Sequence, residues 1–357
     1  MAERAPWQLP AVLSVEYLGE AELAARAPAW WSGVLGVVPF GPGPALALPA
    51  DVPQASVPLK LLGATARICE VWRLDQALRS GHHGLVHFRL GEAALFGRVT
   101  LEEPRAGEAN GHGAHWLQRA TAEAYRETFA ALERLGYPYL VRVWNYFAAI
   151  NEETGLGERY RQFNTARRRA FVSGRRTTEG DVPAACALGS ASGSPLVIYF
   201  LASRNPVRAI ENPRQVSAYH YPREYGPDSP IFSRAALTAD GIGEQLFISG
   251  TASIVGHRSV HPGDVTAQAR ESVANVAALV AAANAAAGGP RYSADSLHYK
   301  VYVRHEHDLA GIHAELTSGL RPRFPVTYLK ADICRSELLV EIEAVGAPAR
   351  AHRAPRP

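Results

Sequence analysis

The clearest periodic signal in the chain is a helical pattern of apolar side chains over residues 115–135. Apolar positions recur about every three to four residues, the spacing that places them on one face of an α-helix. Gly136 and Pro138 predict the end of this helix. The apolar run 139–147 follows directly and predicts a strand, while residues 104–113, rich in glycine and polar side chains, predict a loop before the helix.

The same order of elements returns in the second half of the chain. Residues 264–287 predict a second long helix, and residues 297–303 predict the strand that follows it. Each half also carries a hairpin-like pair of apolar runs, at 184–201 and 326–344. We interpret this order as a diverged internal duplication. It predicts an α+β fold of two tandem units, each with a mixed sheet and helices packed on one face.

A segment rich in proline, asparagine and arginine, residues 204–225, separates the two halves. It also holds three tyrosines. Plain linkers seldom carry so many aromatic side chains, so we expect this segment to be ordered and to line a cleft. The predicted domains are therefore residues 1–203 and 204–345, followed by a disordered tail over 346–357.

Composition predicts a soluble globular protein and excludes several function classes. Of the 357 residues, 47% are hydrophobic and 20% are charged, and the net charge is only +3. That charge carries no signature of nucleic-acid binding, and no apolar run predicts a signal peptide or a membrane span. Three scattered cysteines are too few for a disulfide framework or a zinc site, so we expect a cytoplasmic protein.

Four segments of the second half resemble the RidA/YjgF family. Residues 225–235 are similar to its opening GPYSQA-type segment, 246–252 to its strand and glycine turn, 263–276 to its helix start, and 339–344 to its closing VEIEA strand. The resemblance implies that the tandem units are RidA/YjgF-like (chorismate-mutase-like). Thr327 stands where that family carries the arginine that holds the substrate carboxylate, so we do not expect simple imine deamination.

The whole chain resembles a narrower family, the chorismatases. Residues 211–222, followed by 225–227, are similar to the hallmark of that family, and the resemblance covers both halves. It implies a cofactor-free enzyme that splits chorismate into pyruvate and a hydroxylated benzoate-type acid. Some members hydrolyse chorismate to a dihydroxycyclohexadiene carboxylate, others form 3-hydroxybenzoate, and a third group forms 3- and 4-hydroxybenzoate.

Glu341 is the first catalytic candidate. It lies in a predicted strand on the same face as Leu339 and Glu343, and its apolar neighbours predict poor solvation, which raises the pKa of a carboxyl group. The resemblance implies that Glu341 is the general acid that protonates the methylene carbon of the enolpyruvyl ether. The alternative is a solvent-facing glutamate at a strand edge, which fits Glu343 better than Glu341.

Cys334 and Gly250 resemble the two positions that sort chorismatases by product. A glycine on the ISGTAS turn and a cysteine seven residues before the glutamate are similar to the enzymes that form 3-hydroxybenzoate. The resemblance implies that Gly250 frees space beside the substrate ring and that Cys334 carries a proton. The alternatives are a small buried hydrophobic side chain for Cys334 and a tight turn for Gly250.

Chorismate carries two carboxylates, so its site needs at least two cationic donors, and an arginine fork suits a carboxylate best. The predicted cations are Arg142, Arg161, Arg214, Arg234 and Lys330, and the predicted hydrogen-bonding tyrosines are Tyr219, Tyr221 and Tyr225. A surface or structural ion pair is the alternative for each of them.

Other motifs do not add a function. The basic cluster 167–169 and 175–176 lacks interleaved aromatic side chains, so we interpret it as a solvated face or loop rather than a nucleic-acid site. Neither 82–83 nor the pair His305 and His307 has a third ligand at a spacing suited to a metal. The sequence holds no phosphate-binding loop and no dinucleotide fingerprint, so we expect neither a metal nor a cofactor.

The sequence therefore predicts a chorismatase that forms 3-hydroxybenzoate and pyruvate. The alternatives are a hydrolytic chorismatase and a RidA-like protein that binds a small ligand without turnover. RidA proteins are trimers with sites between subunits, whereas an internal duplication can supply both walls of a cleft within one chain. We expect the second arrangement, in a monomer, and leave the trimer open.

Overall fold

The computed structural model describes residues 12–64, 66–104, 115–239 and 241–348. Most of the predicted loop 104–113, and the predicted tail beyond residue 348, lie outside these residues. The α-helices are α1 Glu20–Ala24, α2 Trp116–Leu135, α3 Arg159–Ser173, α4 Val265–Ala286 and α5 Leu309–Leu320. The strands are β1 Leu13–Gly19, β2 Val34–Phe40, β3 Leu61–Leu62, β4 Ile68–Leu74, β5 Arg79–His83, β6 Val86–Leu90, β7 Ala94–Leu101, β8 Tyr139–Ala148, β9 Glu153–Thr154, β10 Gly157–Glu158, β11 Ala184–Ser190, β12 Leu196–Ser203, β13 Arg208–Ile210, β14 Ala235–Thr238, β15 Gln245–Ala252, β16 Ile254–Val255, β17 Arg258–Ser259, β18 His298–Val303, β19 Thr327–Lys330 and β20 Val340–Gly346.

The two long predicted helices are confirmed, and their ends have identifiable causes. α2 stops at Gly136, whose φ of 75° is left-handed and therefore suits glycine. α4 starts after Asp264, whose side chain accepts a hydrogen bond from the backbone N–H of Ala267 at 2.9 Å. The strands predicted after these helices form as β8 and β18. None of the helices in the described ranges is long and apolar enough to cross a membrane.

Two large sheets share one topology. The first has the order β5-β6-β7-β12-β8-β11, and the second has the order β13-β14-β15-β20-β18-β19-β3. The strands at the first six positions of the two sheets follow one another along the chain in the same relative order. α2 and α3 cover one face of the first sheet, and α4 and α5 cover one face of the second. The predicted α+β class is confirmed, and the equal topology supports the internal duplication.

The two predicted hairpin-like pairs are wrong in their pairing. All four strands form, but β8 lies between β11 and β12, and β18 lies between β19 and β20. Each inserted strand runs parallel to one neighbour and antiparallel to the other. β8 and β18 are almost entirely buried, and a buried strand is most stable in the centre of a sheet. The two strands of each predicted pair are therefore not adjacent in their sheet.

A third, smaller sheet with the order β1-β4-β2 completes the centre of the molecule. The largest apolar core lies between this sheet and the uncovered faces of the two large sheets. One aromatic side chain from each sheet meets there, because the ring of Trp72 lies 5.7 Å from that of Trp144 and 5.9 Å from that of Phe247. The domain boundaries predicted at residues 203 and 345 stay predictions. β3, which belongs to the first predicted domain, pairs with β19 in the second large sheet.

Candidate active site

A cavity of about 390 Å³ opens between the two large units. Residues 151–161 form one wall, and residues 221–234, which include the end of the tyrosine-rich segment 204–225, form another. The loop 334–337 and the end of β15 close the remaining sides, with Glu341 in the lining. Side chains from both halves of one chain therefore build this cavity, and the expected cleft-lining role of the tyrosine-rich segment is confirmed for its residues from Tyr221 onward.

Glu341 lies in β20 and is only 4% exposed, so the alternative of a solvent-facing edge residue is wrong. β20 is an interior strand, which places Glu341 opposite Tyr302 on β18. Burial and the negative charge of Glu343 together raise the pKa of the Glu341 carboxyl to about 8, against the opposing effects of Arg142 and Arg234. This environment favours the protonated form of Glu341 at neutral pH.

Gly250 makes room for that acid. It lies inside β15 at a β-bulge, where the register against β20 shifts between Ile248 and Thr251. A Cβ at this position would overlap the Glu341 carboxyl and would lie 3.2 Å from the Cβ of Cys186. The tight-turn alternative is wrong, because Gly250 belongs to a strand that approaches the acid closely.

Cys334 lines the cavity beside Gly250 and Glu341 and is partly exposed to it. Burial, with a smaller effect of the Glu341 carboxylate, raises the pKa of its thiol to about 12. The thiol therefore keeps its proton at neutral pH and can act as a neutral hydrogen-bond donor. Cys334 also packs against two of the apolar cores, as expected for the alternative of a small hydrophobic side chain.

Four of the predicted binding residues meet in the cavity lining: Arg161, Tyr221, Tyr225 and Arg234. Arg234 is buried, and its Nη2 donates to the Tyr221 hydroxyl at 2.7 Å and to the carbonyl of Val216 at 2.8 Å. Arg161 lies nearer the surface and forms an ion pair with Glu158 at 3.3 Å. A buried guanidinium and a more exposed one thus face the same space.

Four other predicted residues lie elsewhere, and their predicted contact with substrate is not supported. Arg142 is buried outside the cavity and bonds to Glu343, because the order of the strands brings that carboxylate beside it. Arg214 pairs with Glu271, Lys330 pairs with Glu306 on the surface, and Tyr219 packs on His220 outside the cavity lining. The structural ion pair, stated above as the alternative, applies to the three cations.

Arg335 is a cavity residue that the sequence analysis did not identify. Its guanidinium lies 3.9 Å from the centre of the Tyr225 ring, and its Nη1 donates to the Ser259 hydroxyl and the His257 carbonyl, both at 3.0 Å. Nη2 is buried and has no hydrogen-bond partner within the described residues. Its position directly after the candidate Cys334 is the one feature of the sequence that could have identified it as a cavity residue.

A smaller chamber of about 40 Å³ continues behind the main cavity and shares Glu341, Gly250 and Cys334 with it. Its lining includes Arg167 on α3, which is 3% exposed, so the interpretation of 167–169 as a solvated face is wrong for this residue. Nε of Arg167 donates to the Tyr125 hydroxyl at 2.7 Å.

The Arg167 guanidinium has unused capacity for an anion. Nη1 donates to the carbonyl of Ile231, while Nη2 has no hydrogen-bond partner in the described part of the chain. Among the described residues, Arg167 forms no ion pair with a carboxylate, unlike Arg159, Arg161 and Arg168. A buried cation without a counter-ion favours binding of an anion beside it.

No group of three or more His, Cys, Asp or Glu side chains among the described residues could hold a metal ion. The cavity lining offers the Glu341 carboxyl, the Cys334 thiol, tyrosine hydroxyls and arginine guanidinium groups, together with further carboxylates at Glu153, Glu158, Glu224 and Glu337. Such a set can protonate an uncharged part of a small molecule while it binds carboxylates.

Comparison with known proteins identifies the class. The family profile described as "Chorismatase FkbO/Hyg5-like, N-terminal" matches residues 70–202. A crystal structure of a chorismatase superposes with a TM-score of 0.84 at 31% identity, covering 96% of this chain and 100% of that chain. The fold is therefore that of a chorismatase, an α+β enzyme.

Two curated relatives from Streptomyces hygroscopicus extend the match in sequence. A 3-hydroxybenzoate synthase is 36% identical, with 80% of this chain and 84% of the relative covered. A chorismatase is 37% identical, with 88% of this chain and 89% of the relative covered. The chain belongs to the chorismatase family.

Proposed function

We propose that this enzyme converts chorismate into 3-hydroxybenzoate and pyruvate, with Glu341 as the general acid. The observation that carries the proposal is a buried carboxyl, protonated at neutral pH, in the lining of a cavity that arginine side chains surround. The cavity volume of about 390 Å³ lies within the range of roughly 300–1,000 Å³ usual for small-molecule sites. The relatives named chorismatase and 3-hydroxybenzoate synthase support the substrate and the product.

Glu341 acts on the enolpyruvyl ether. Transfer of its proton to the methylene carbon turns the ether into a cationic carbon–oxygen group, and the ring–oxygen bond then breaks as pyruvate leaves. The ring hydroxyl displaces the pyruvyl oxygen, which gives an epoxide-like intermediate. Opening of the epoxide and loss of a ring proton restore aromaticity, and one proton returns to Glu341. No water is consumed, since chorismate contains all the atoms of 3-hydroxybenzoate and pyruvic acid.

The arginine side chains of the cavity provide for the two carboxylates of chorismate. Arg161, Arg234 and Arg335 face the main cavity, and Arg167 faces the inner chamber. The chamber is adjacent to Glu341, and its volume of about 40 Å³ suits a carboxylate rather than a ring. We assign the enolpyruvyl carboxylate to Arg167, because it then lies close to the carbon that Glu341 protonates, and the ring carboxylate to the outer arginines.

Gly250 and Cys334 support the 3-hydroxybenzoate outcome. Because Gly250 has no side chain, the Glu341 carboxyl and the substrate ring can lie close together. The neutral Cys334 thiol beside them can transfer a proton when the epoxide opens. The hydrolytic outcome would instead require a water molecule at the enolpyruvyl group, and its product would keep two hydroxyls on the ring.

Chromatography of the products tests the proposal. Purified enzyme with chorismate is expected to release pyruvate and 3-hydroxybenzoate in equal amounts. Cys334→Ala is expected to change the ratio of aromatic products more than the rate of pyruvate release, because the first protonation does not involve the thiol. A dihydroxycyclohexadiene carboxylate as main product would instead establish a hydrolytic chorismatase. Pyruvate release no faster than the spontaneous reaction would leave only ligand binding.

A further inference from the structure

Four charged side chains form a buried cluster where the three sheets meet: Glu70 on β4, Arg142 on β8, Lys300 on β18 and Glu343 on β20. Lys300 Nζ lies 2.6 Å from Glu70 Oε2 and 2.7 Å from Glu343 Oε1, and Arg142 Nη2 lies 2.6 Å from Glu343 Oε2. None of the four is more than 3% exposed. We call these four residues the charge cluster.

The charge cluster is electrically balanced and closed. Two carboxylates face two cations, and the indole N–H groups of Trp72 and Trp144 donate to Glu70 at 2.7 Å and to Glu343 at 2.9 Å. The space beside it is about 10 Å³, too small for an organic ligand. Buried ion clusters contribute little net stability compared with apolar packing of the same volume, so stability alone does not account for it.

Glu343 connects the charge cluster to the active site. It lies two residues after Glu341 on β20, so the two side chains share one face of the strand. Their partners across β18 are Lys300 for Glu343 and Tyr302 for Glu341. Within the described residues, Glu341 forms no ion pair, while Glu343 holds both cluster cations.

Several titratable groups face Glu341 from other elements. Arg142 on β8 and Arg234 before β14 act on it with positive charge. Arg167 and Tyr160 on α3, and Arg335 after Cys334, line the same cavity or inner chamber. The thiols of Cys186 on β11 and Cys334 interact with it and keep their protons, because burial raises the pKa of both. The Tyr302 hydroxyl is bonded to that of Tyr146 at 2.7 Å, and burial raises its pKa as well. Glu343 is thus the negative group that acts on Glu341, and Arg142 is the cation that Glu343 neutralises.

We propose that the charge cluster is a positioning device that keeps Glu341 protonated, with Glu343 holding Arg142 and Lys300 away from the acid. The proposal rests on the proposed function, in which the protonated form of Glu341 is the active one. Nη1 of Arg142 has no hydrogen-bond partner among the described residues. Loss of Glu343 would therefore leave a buried cation free to attract the Glu341 carboxylate.

The test is the pH dependence of kcat/KM for pyruvate release. In the wild type, the pKa of Glu341 near 8 predicts full activity below that pH and a fall as the pH rises through it. Glu343→Gln removes the negative neighbour, lowers the pKa of Glu341 and should move this fall about one unit to lower pH. Arg142→Met removes an attracting cation, raises the pKa of Glu341 and should move the fall to higher pH.

Opposite shifts distinguish positioning from structural support, since a loosened core lowers the rate at all pH values without moving the fall in two directions. Glu70→Gln is the matched control: it removes one carboxylate of the same cluster but leaves Glu343 with both cations, and its fall should stay near that of the wild type. Glu343→Asp keeps the negative charge, so its activity should fall near the wild-type pH, without most of the shift seen in Glu343→Gln.

Three results would overturn the proposal. The first is that kcat/KM falls at the wild-type pH in both Glu343→Gln and Arg142→Met. The second is that the pH of the fall shifts in the same direction in both variants. The third is that neither variant folds. If one of the two does not fold, the direction of the shift in the other decides. Failure of the proposed function has a different signature, because the wild type would then release no pyruvate above the spontaneous rate or Glu341→Gln would remain active.

Discussion

Two glutamates on one strand face, Glu341 and Glu343, have pKa values that are shifted in opposite directions. Glu343 is charged, because Lys300 and Arg142 lower its pKa despite its burial. Glu341 lacks such partners, and burial raises its pKa to about 8. Separation of two pKa values by environment is a common way to assign an acid and a charged neighbour in an active site.

Gly250 offers a test at the scale of one residue. Gly250→Ala would place a methyl group against the Glu341 carboxyl, which must then move. Displacement of a catalytic group by about 1 Å can cost roughly 100-fold in rate, so we predict a fall of about that size in kcat for pyruvate release. Gly289→Ala is the matched control, because nothing lies within 4 Å of the added Cβ. An unchanged kcat in Gly250→Ala would show that the acid does not depend on this space.

The residue chemistry was partly predictable from sequence. Apolar neighbours along β20 correctly predicted a poorly solvated Glu341, because alternation along a strand is local information. The same local information could not predict that Glu343 is buried, since its partners Lys300 and Arg142 arrive from other strands. Arg142 was predicted to bind substrate for the same reason: its need for a partner was visible, but the identity of that partner was not.

At the scale of elements, α3 is the part of the cavity that sequence patterning failed to describe. Three of its polar side chains, Arg161, Asn164 and Arg167, line the cavity or the inner chamber. Their spacing of three residues places them on one helix face. A helix that buries polar side chains against a binding site lacks the apolar stripe on which the sequence analysis depended.

Arg167 and Arg168 form a matched pair for testing that face. Arg167→Met should raise the KM for chorismate about 10-fold or more, because a charge-assisted hydrogen bond to a carboxylate is worth about 1.5–3 kcal/mol. Arg168, 3.8 Å from Asp228, is partly exposed and is outside the cavity lining, so Arg168→Met should leave KM near its wild-type value. The change should be larger in KM than in kcat, and Arg167→Lys should recover part of it. Equal KM values in both methionine variants would remove Arg167 from substrate binding.

The order of strands is the other element-level feature that sequence did not reveal. The apolar runs at 184–201 and 326–344 predicted strands correctly but suggested hairpins. In both sheets, the strand after the long helix lies between them. Because both halves depart from the hairpin in the same way, the departure itself supports a duplicated unit.

At the scale of the whole molecule, the centre belongs to no single unit. The charge cluster takes Glu70 from the small sheet, Arg142 from the first large sheet, and Lys300 and Glu343 from the second. The cavity likewise combines Arg161 from the first half with Glu341 from the second. Sequence patterns predicted the two units, but their face-to-face packing is a long-range property that periodicity does not encode.

The most direct test of the central claim is pyruvate release from chorismate by Glu341→Gln. The glutamine keeps the size of the side chain and its hydrogen bonding but lacks a transferable proton, and loss of general-acid catalysis typically costs about 10²–10⁴-fold in rate. We predict a fall of that size in kcat, with binding of 3-hydroxybenzoate retained because the cavity arginines are unchanged. Pyruvate release near the wild-type rate would contradict the assignment of Glu341 as the acid.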